Sequence, residues 1–153
     1  MLTRKEAIEY IFKKHGEKAA YVTSTGYISR AVHSCQFAKD NVFYMQGSMG
    51  LAPAIGLGMA ANSNKDIVVI SGDAALLMHL GITHTIRDAK LKNLFVYVLD
   101  NGCHESVGGY KCSELEKSYS GITKIIKINK EGKEPRVAIS CEDNTLKLKK
   151  YLK

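Results

Sequence analysis

"DIVVISGDAALLMHLG", Asp66 to Gly81, decides the fold. Its first half is a continuous run of β-branched residues, Ile67 to Ile70, closed by Ser71 and Gly72. A run that short, with no polar alternation, reads as a strand buried on both faces, and parallel sheets covered on both sides by helices contain such strands. From Ala74 the apolar residues take up helical spacing, and the predicted helix continues to Ala89. Gly72-Asp73 therefore stands where a buried strand hands over to a helix.

The same pattern recurs outward in both directions. "NLFVYVLD" (93–100) is a second doubly buried strand, running into Asn101-Gly102, and "AAYVTS" (19–24) and "NVFYMQ" (41–46) read as further strands. Thr3 and Glu6 have capping-box spacing ahead of a periodic helix that ends near Gly16. "SRAVHSCQFA" (29–38) reads as a short helix, and "ITKIIKI" (122–128) and "PRVAIS" (135–140) as late strands. Alternating strands and helices imply an α/β fold, an open, mostly parallel sheet with helices on both faces and right-handed crossovers. Sites in such sheets lie at the carboxyl ends of the strands. No linker-like segment divides the 153 residues, so one domain over 1–153 is expected.

Composition narrows the function classes. Hydrophobic residues make up 45% of the chain and there are only two prolines, which argues against disorder, and no apolar run is long enough for a membrane span. The charged N-terminus is unlike a secretory signal, so the cytoplasm is expected. Cys35, Cys103, Cys112 and Cys141 lack paired spacing and read as reduced thiols. The net charge is +7, but the lysines are spread singly among acids and apolar residues without aromatic interleaving, a solvated surface rather than a nucleic-acid face. Attraction of an anionic substrate or cofactor is the milder consequence.

Chemistry is expected where two consecutive buried strands end, at Gly72-Asp73-Ala74 and Asp100-Asn101-Gly102. If the strands are neighbours, their tips lie about 4.8 Å apart, and a carboxylate and an amide oxygen can grip one hard ion at about 2.1 Å. Mg²⁺ suits such ligands and keeps phosphate oxygens in its remaining positions. Backbone N–H groups at the start of the helix after Asp73 would receive the phosphate. Turn chemistry accounts for either motif alone.

"GSMGLAPAIGLGMAA" (47–61) is rich in glycine and alanine and carries no charge. Gly56-Leu57-Gly58-Met59-Ala60-Ala61 satisfies a dinucleotide G-x-G-x-x-A, but a loop rather than a strand precedes it, with Pro53 tolerable only in a helix's first turn. A helix starting near Leu51, with Ala54, Gly58 and Ala61 as a small-residue packing face, is the better reading, and it leaves "GSMG" unexplained.

Together "STGYISRAV", "GSMG" with its following helix, "SGDAALLMHLG" and "LFVYVLDNGCHESVGG" resemble the diphosphate-binding domain of thiamine-diphosphate-dependent decarboxylases over about residues 22–109. The phosphonopyruvate decarboxylase branch is the most similar, and the sulfopyruvate decarboxylase β subunit is next. The resemblance implies thiamine diphosphate and Mg²⁺ as cofactors. Asp73 and Asn101 match the side-chain metal ligands, and the main-chain carbonyl of Cys103 the third. Ala74 and Asp100 depart from the family's Gly-Asp-Gly and Asn-Asn; Ala74 keeps its backbone N–H, and Asp100 replaces the asparagine that is not the usual ligand. Gly47, Ser48, Met49, Gly72, Ala74 and Ala75 would cradle the cofactor, with the Gly47 carbonyl accepting from its exocyclic amine and Met49 as the apolar wedge beneath it. His104 and Ser106 match the branch's His-x-Ser-Val-Gly-Gly and would serve as catalytic residues, with Glu105 as charge partner to His104. Gly108 and Gly109 would let their loop close. His79 also matches the branch, and Arg30 would meet an anionic substrate group.

The family's activating glutamate comes from a second, pyrimidine-binding domain. The expected protein is thus one subunit of a split decarboxylase acting on a small anionic 2-oxoacid such as 3-phosphonopyruvate. A sulfopyruvate or acetolactate-synthase-like enzyme, or a non-catalytic binding subunit, is the alternative. The family's helix between its last two strands is expected to be missing, because "INKEGKEPRVAIS" leaves room only for a turn.

Overall fold

Thr3 opens the first helix, α1 (Arg4–His15), as its spacing from Glu6 predicts. The Thr3 hydroxyl accepts the Glu6 N–H at 3.1 Å and the Glu6 carboxylate accepts the Thr3 N–H at 2.8 Å, so two otherwise unpaired amides are satisfied. Gly16, at φ 72°, ends the helix. A computed structural model describes every residue of the chain except 36, 38, 117, 118, 120 and 121.

Strands β1 (Ala20–Thr23), β2 (Val42–Tyr44), β3 (Ile67–Gly72) and β4 (Leu94–Asp100) are joined by a late strand, and Cys103–His104 (β5) pairs with Tyr110–Lys111 (β6) as an antiparallel hairpin. With Thr123–Lys127 as β7, the main sheet has the order β2-β1-β3-β4-β7, and every pairing in it is parallel. Ile67, Val68, Val69, Ile70 and Ser71 are all buried. Val68 and Ile70 pack with Ala7, Ile8, Ile11 and Phe12 of α1 on one face, whereas Ile67 and Val69 pack with Ala52 and Ala60 of α3 (Ala52–Ala61) on the other. The strand's period of two thus divides one apolar run between two cores. The chain visits β1, crosses outward to β2 and returns past β1 to β3, so the connections diverge beyond the carboxyl ends of β1 and β3 and leave a crevice there.

Several expectations change. The helix predicted over 74–89 is two helices, α4 (Asp73–Met78) and α5 (Ile82–Ala89). His79, at φ −135° and ψ 46°, leaves the helical region, and Gly81 caps the start of the next helix. The packing face of α3 is Ala52, Gly56 and Ala60, not Ala54, Gly58 and Ala61. A Cβ at Gly56 would overlap Val69 Cγ2, whereas one at Gly58 would meet nothing within 4 Å. The helix expected over 29–38 is α2 (Tyr27–His33), and its predicted residues 36 and 38 lie outside the described ones.

No strand forms at 135–140. Ser140 instead caps a helix, α6 (Cys141–Leu152), by accepting the Asp143 N–H at 3.0 Å. From α6, Asn144 reaches the edge strand β2. Its carboxamide oxygen accepts the Tyr44 N–H at 2.9 Å, and its nitrogen donates to the Val42 carbonyl at 2.6 Å. One buried amide so satisfies the outward-facing backbone of β2 and blocks the open edge of the sheet. Among the described residues no helix is long and apolar enough to cross a membrane.

Candidate functional site

Parallel pairing of β3 with β4 sets Gly72 opposite Leu99, which brings the two strand ends together. Asp73, the first residue of α4, is 3% exposed, and its Oδ2 accepts the Gly102 N–H at 2.9 Å. Asp100 Oδ1 accepts the same N–H at 3.0 Å, so two buried carboxylates converge on one amide. The Asp73 carboxyl is pushed up to about 6: burial is the main cause, the Asp100 carboxylate adds to the rise, and the N–H groups of Ala74 and Gly102 oppose it. Asp100 has its own cation, Lys127 Nζ at 2.5 Å. Asp73 has none among the described residues. A divalent ion would supply the missing charge.

Asn101 is held at both ends of its amide. Its Nδ2 donates to Glu105 Oε2 at 2.8 Å, and its Oδ1 accepts the Cys103 N–H at 3.2 Å. Glu105 is not the partner of His104 that its position in sequence implies. Its Oε2 also meets Arg4 Nη2 at 2.7 Å, and its Oε1 accepts the N–H groups of Glu131 and Gly132 at 2.9 and 2.7 Å. Burial raises the Glu105 carboxyl, but these N–H groups and the Arg4 guanidinium outweigh it and hold it below the usual range. Arg4, 1% exposed, also meets Glu134 at 2.8 Å. This cluster ties the start of α1 and the segment after β7 to the loop that carries Asn101. None of Arg4, Lys127 or Glu134 was singled out from the sequence, since nothing in their local pattern marks them; they come together only through tertiary contacts across more than 100 residues for Arg4 and 27 for Lys127.

The cleft over these strand ends is lined by Met49, Gly72, Asp73, Ala74, Ala75, Asn101, Cys103, His104 and Ser106 among others, with Thr25 and Tyr27 after β1 closing one side. His104 stands on β5 of the hairpin rather than on a free loop, and its Nε2 lies 3.0 Å from Met49 Sδ. Gly108 and Gly109, at φ 77° and 71°, form the turn. Gly47 and Ser48 do not line this cleft. Gly47 lines an adjoining cavity with Arg30, and its carbonyl accepts the Met49 N–H at 2.7 Å, while Ser48 is exposed. His79 is also outside, packed beside Gly50.

Among the described residues no three His, Cys, Asp or Glu side chains converge as a self-sufficient metal centre. The Asp73 carboxylate and the Asn101 carboxamide oxygen at adjacent strand ends are oxygen donors of the type a hard ion takes. An open parallel sheet with such donors in its switch-point crevice defines an α/β protein that binds a phosphate-bearing ligand. A family model described as thiamine pyrophosphate enzyme, C-terminal TPP binding domain, matches residues 20–141, and the chain belongs to that family. It is 39% identical over 109 residues to phosphonopyruvate decarboxylase of Streptomyces viridochromogenes, covering 71% of this chain and 27% of the relative. Against sulfopyruvate decarboxylase subunit beta of Methanocaldococcus jannaschii it is 39% identical over 108 residues, 71% of this chain and 57% of the relative. The corresponding β subunit of Methanococcus maripaludis is 29% identical over 153 residues, 96% of this chain and 82% of the relative. The chain thus spans between about a quarter and just over half of the first two relatives' length.

Proposed function

We propose that residues 1–153 form the diphosphate-binding subunit of a split, thiamine-diphosphate- and Mg²⁺-dependent decarboxylase of small anionic 2-oxoacids. The observation that carries this reading is the buried Asp73 carboxylate, without a cation of its own, beside Asn101 at adjacent strand ends. Asp73, Asn101 and the Cys103 carbonyl hold the metal. The Ala74 and Ala75 N–H groups receive the diphosphate, and Met49, in the cleft, supports the rest of the cofactor. Bound there, thiamine diphosphate supplies the carbon that adds to the oxoacid and accepts the electron pair left by CO₂. His104 and Ser106 face the cleft and orient the substrate, with His104 Nε2 as the atom that moves a proton.

The cleft encloses only about 60 Å³, against roughly 300–1,000 Å³ for a complete small-molecule site. That room suits one end of a ligand whose remainder is covered by another chain. Met78, Val107 and Tyr110 are exposed apolar residues on α4 and the hairpin, around the same end of the sheet. A pyrimidine-binding partner that brings the activating glutamate would cover them.

The Ser106-Val107-Gly108-Gly109 run favours 3-phosphonopyruvate as substrate. Sulfopyruvate is the second reading, favoured by the 82% coverage of a β subunit whose name carries that activity. Calorimetry with thiamine diphosphate and Mg²⁺, with the partner chain present, tests the assignment. Asp73→Ala is expected to abolish Mg²⁺-dependent binding while the far-ultraviolet dichroism is retained, because no other carboxylate there lacks a cation. Unchanged affinity would sink the site.

A further inference from the structure

The cavity adjoining the cleft has a chemistry that the cofactor does not use. It encloses about 260 Å³ between the ends of β1 and β2, and Thr25, Gly26, Ser29, Arg30, Gly47 and Arg136 line it. The chain has four arginines, at 4, 30, 87 and 136. Arg4 is paired with Glu105 and Glu134, and Arg87 lies 3.5 Å from Asp88. Arg30 and Arg136 form no ion pair among the described residues, and they are the two that share this cavity. Arg30 is held from one side only. Its guanidinium stands 5.4 Å from the centre of the Tyr27 ring, and its Nη1 is 3.5 Å from the Glu134 carbonyl, so the remaining donors are unclaimed.

Thr25 lines both cavities. A Cβ at Gly26 would stand 2.9 Å from Ser106 Oγ, so the hairpin's Ser106 rests against the same partition. A short substrate with its oxoacid in the cleft would therefore carry its far end across Thr25 and Gly26 towards the two guanidinium groups. We propose that this cavity is an oxyanion subsite in which Arg30 and Arg136 bind the phosphonate or sulfonate group of the substrate. The proposal rests on the decarboxylase reading for its substrate, but not for the site itself. Planar guanidinium forks match a three-oxygen group by paired hydrogen bonds, and two of them without carboxylates leave a local excess of positive charge. Arg136 lies in the segment before α6, within the family match over 20–141 but outside every motif quoted from the sequence.

The full chain, with its arginine Nε–H groups observed by NMR, is titrated with methylphosphonate and with methanesulfonate. Saturable shifts of the Arg30 and Arg136 signals are expected at about millimolar concentration or below. Arg30→Gln and Arg136→Gln should each weaken binding about tenfold or more, Arg136→Lys should weaken it less, and Arg87→Gln should leave it unchanged. Tighter binding of one probe identifies the substrate's anion; either preference supports the subsite. No saturable shift, or Gln variants that bind like the wild type in a well-dispersed spectrum, overturns it. Thiamine diphosphate affinity is measured on matched samples with the partner chain present. Its absence with the arginine shifts intact removes the decarboxylase reading alone, and its presence without them removes the subsite alone.

Discussion

His104 and His15 behave differently because of what surrounds them. His104 faces the cleft with only Met49 Sδ against its Nε2, so its ring is available to a ligand. His104→Ala is expected to lower turnover of the reconstituted enzyme by about 100-fold or more while thiamine diphosphate affinity changes little, since proton transfer contributes on that order. Equal losses in both would make the residue structural. His15 lies at the end of α1, partly buried against Phe95 and bonded to the Tyr97 hydroxyl at 2.8 Å. Burial lowers its pKa below the usual 6.5, and the Lys14 ammonium lowers it further. The folded chain therefore holds fewer protons than the unfolded chain just below that value. Stability contributed by neutral His15 is present above 6.5 and is lost as pH falls through the depressed pKa. Urea midpoints measured across that window should fall on acidification, and His15→Gln should flatten that part of the curve.

Within α3 two glycines of the same motif have opposite environments. Gly56 lets the helix backbone approach β3, where any Cβ would overlap Val69, whereas Gly58 faces open space. Gly56→Ala should cost about 1–3 kcal/mol through overpacking. Gly58→Ala should stabilise by about 0.5–1 kcal/mol, because it removes only the entropy of a mid-helix glycine. Chemical denaturation of both variants checks the pair, and equal effects would contradict the packing. The dinucleotide-like spacing of these residues is thus a helix-to-sheet contact. The break between α4 and α5 has a similar local origin in His79 and Gly81.

The whole chain leaves its cleft shallow and several apolar side chains beside it exposed. Alone it should release no CO₂ from a 2-oxoacid above background and bind the cofactor weakly. Mixed with its partner it should gain activity together with hydrogen-exchange protection at Met49, Leu51, Met78 and the 104–110 hairpin. Turnover by the isolated chain would refute dependence on a partner. Lys127, Arg4, Glu131 and Glu134 belong to this level as well. Arg4 reaches the strand-end loop from the start of the chain, and Lys127, Glu131 and Glu134 from β7 and the segment after it; they hold Asp100 and Glu105 in place, and Asn101 through Glu105.

Local patterns were enough for the parallel sheet, the capped first helix and the positions of Asp73 and Asn101 at adjacent strand ends, whereas His104 stood out only through the family resemblance. An apolar run buried on both faces admits one kind of sheet, and chemistry at strand ends follows from the alternation of strand and helix. Local pattern misjudged residues 135–140, where "PRVAIS" has strand composition but forms no strand: Asn144 satisfies the outer backbone of β2, and the Ser140 cap commits the following residues to a helix. It also misassigned Glu105, whose neighbour in sequence is His104 but whose partners in space are Arg4 and Asn101. Side-chain partnership across a hundred residues depends on where the sheet order and crossovers put each element, and periodicity carries no information about that. Only the tertiary structure decided which carboxylate kept a cation, which glycine met a strand, and which two arginines were left to face one cavity.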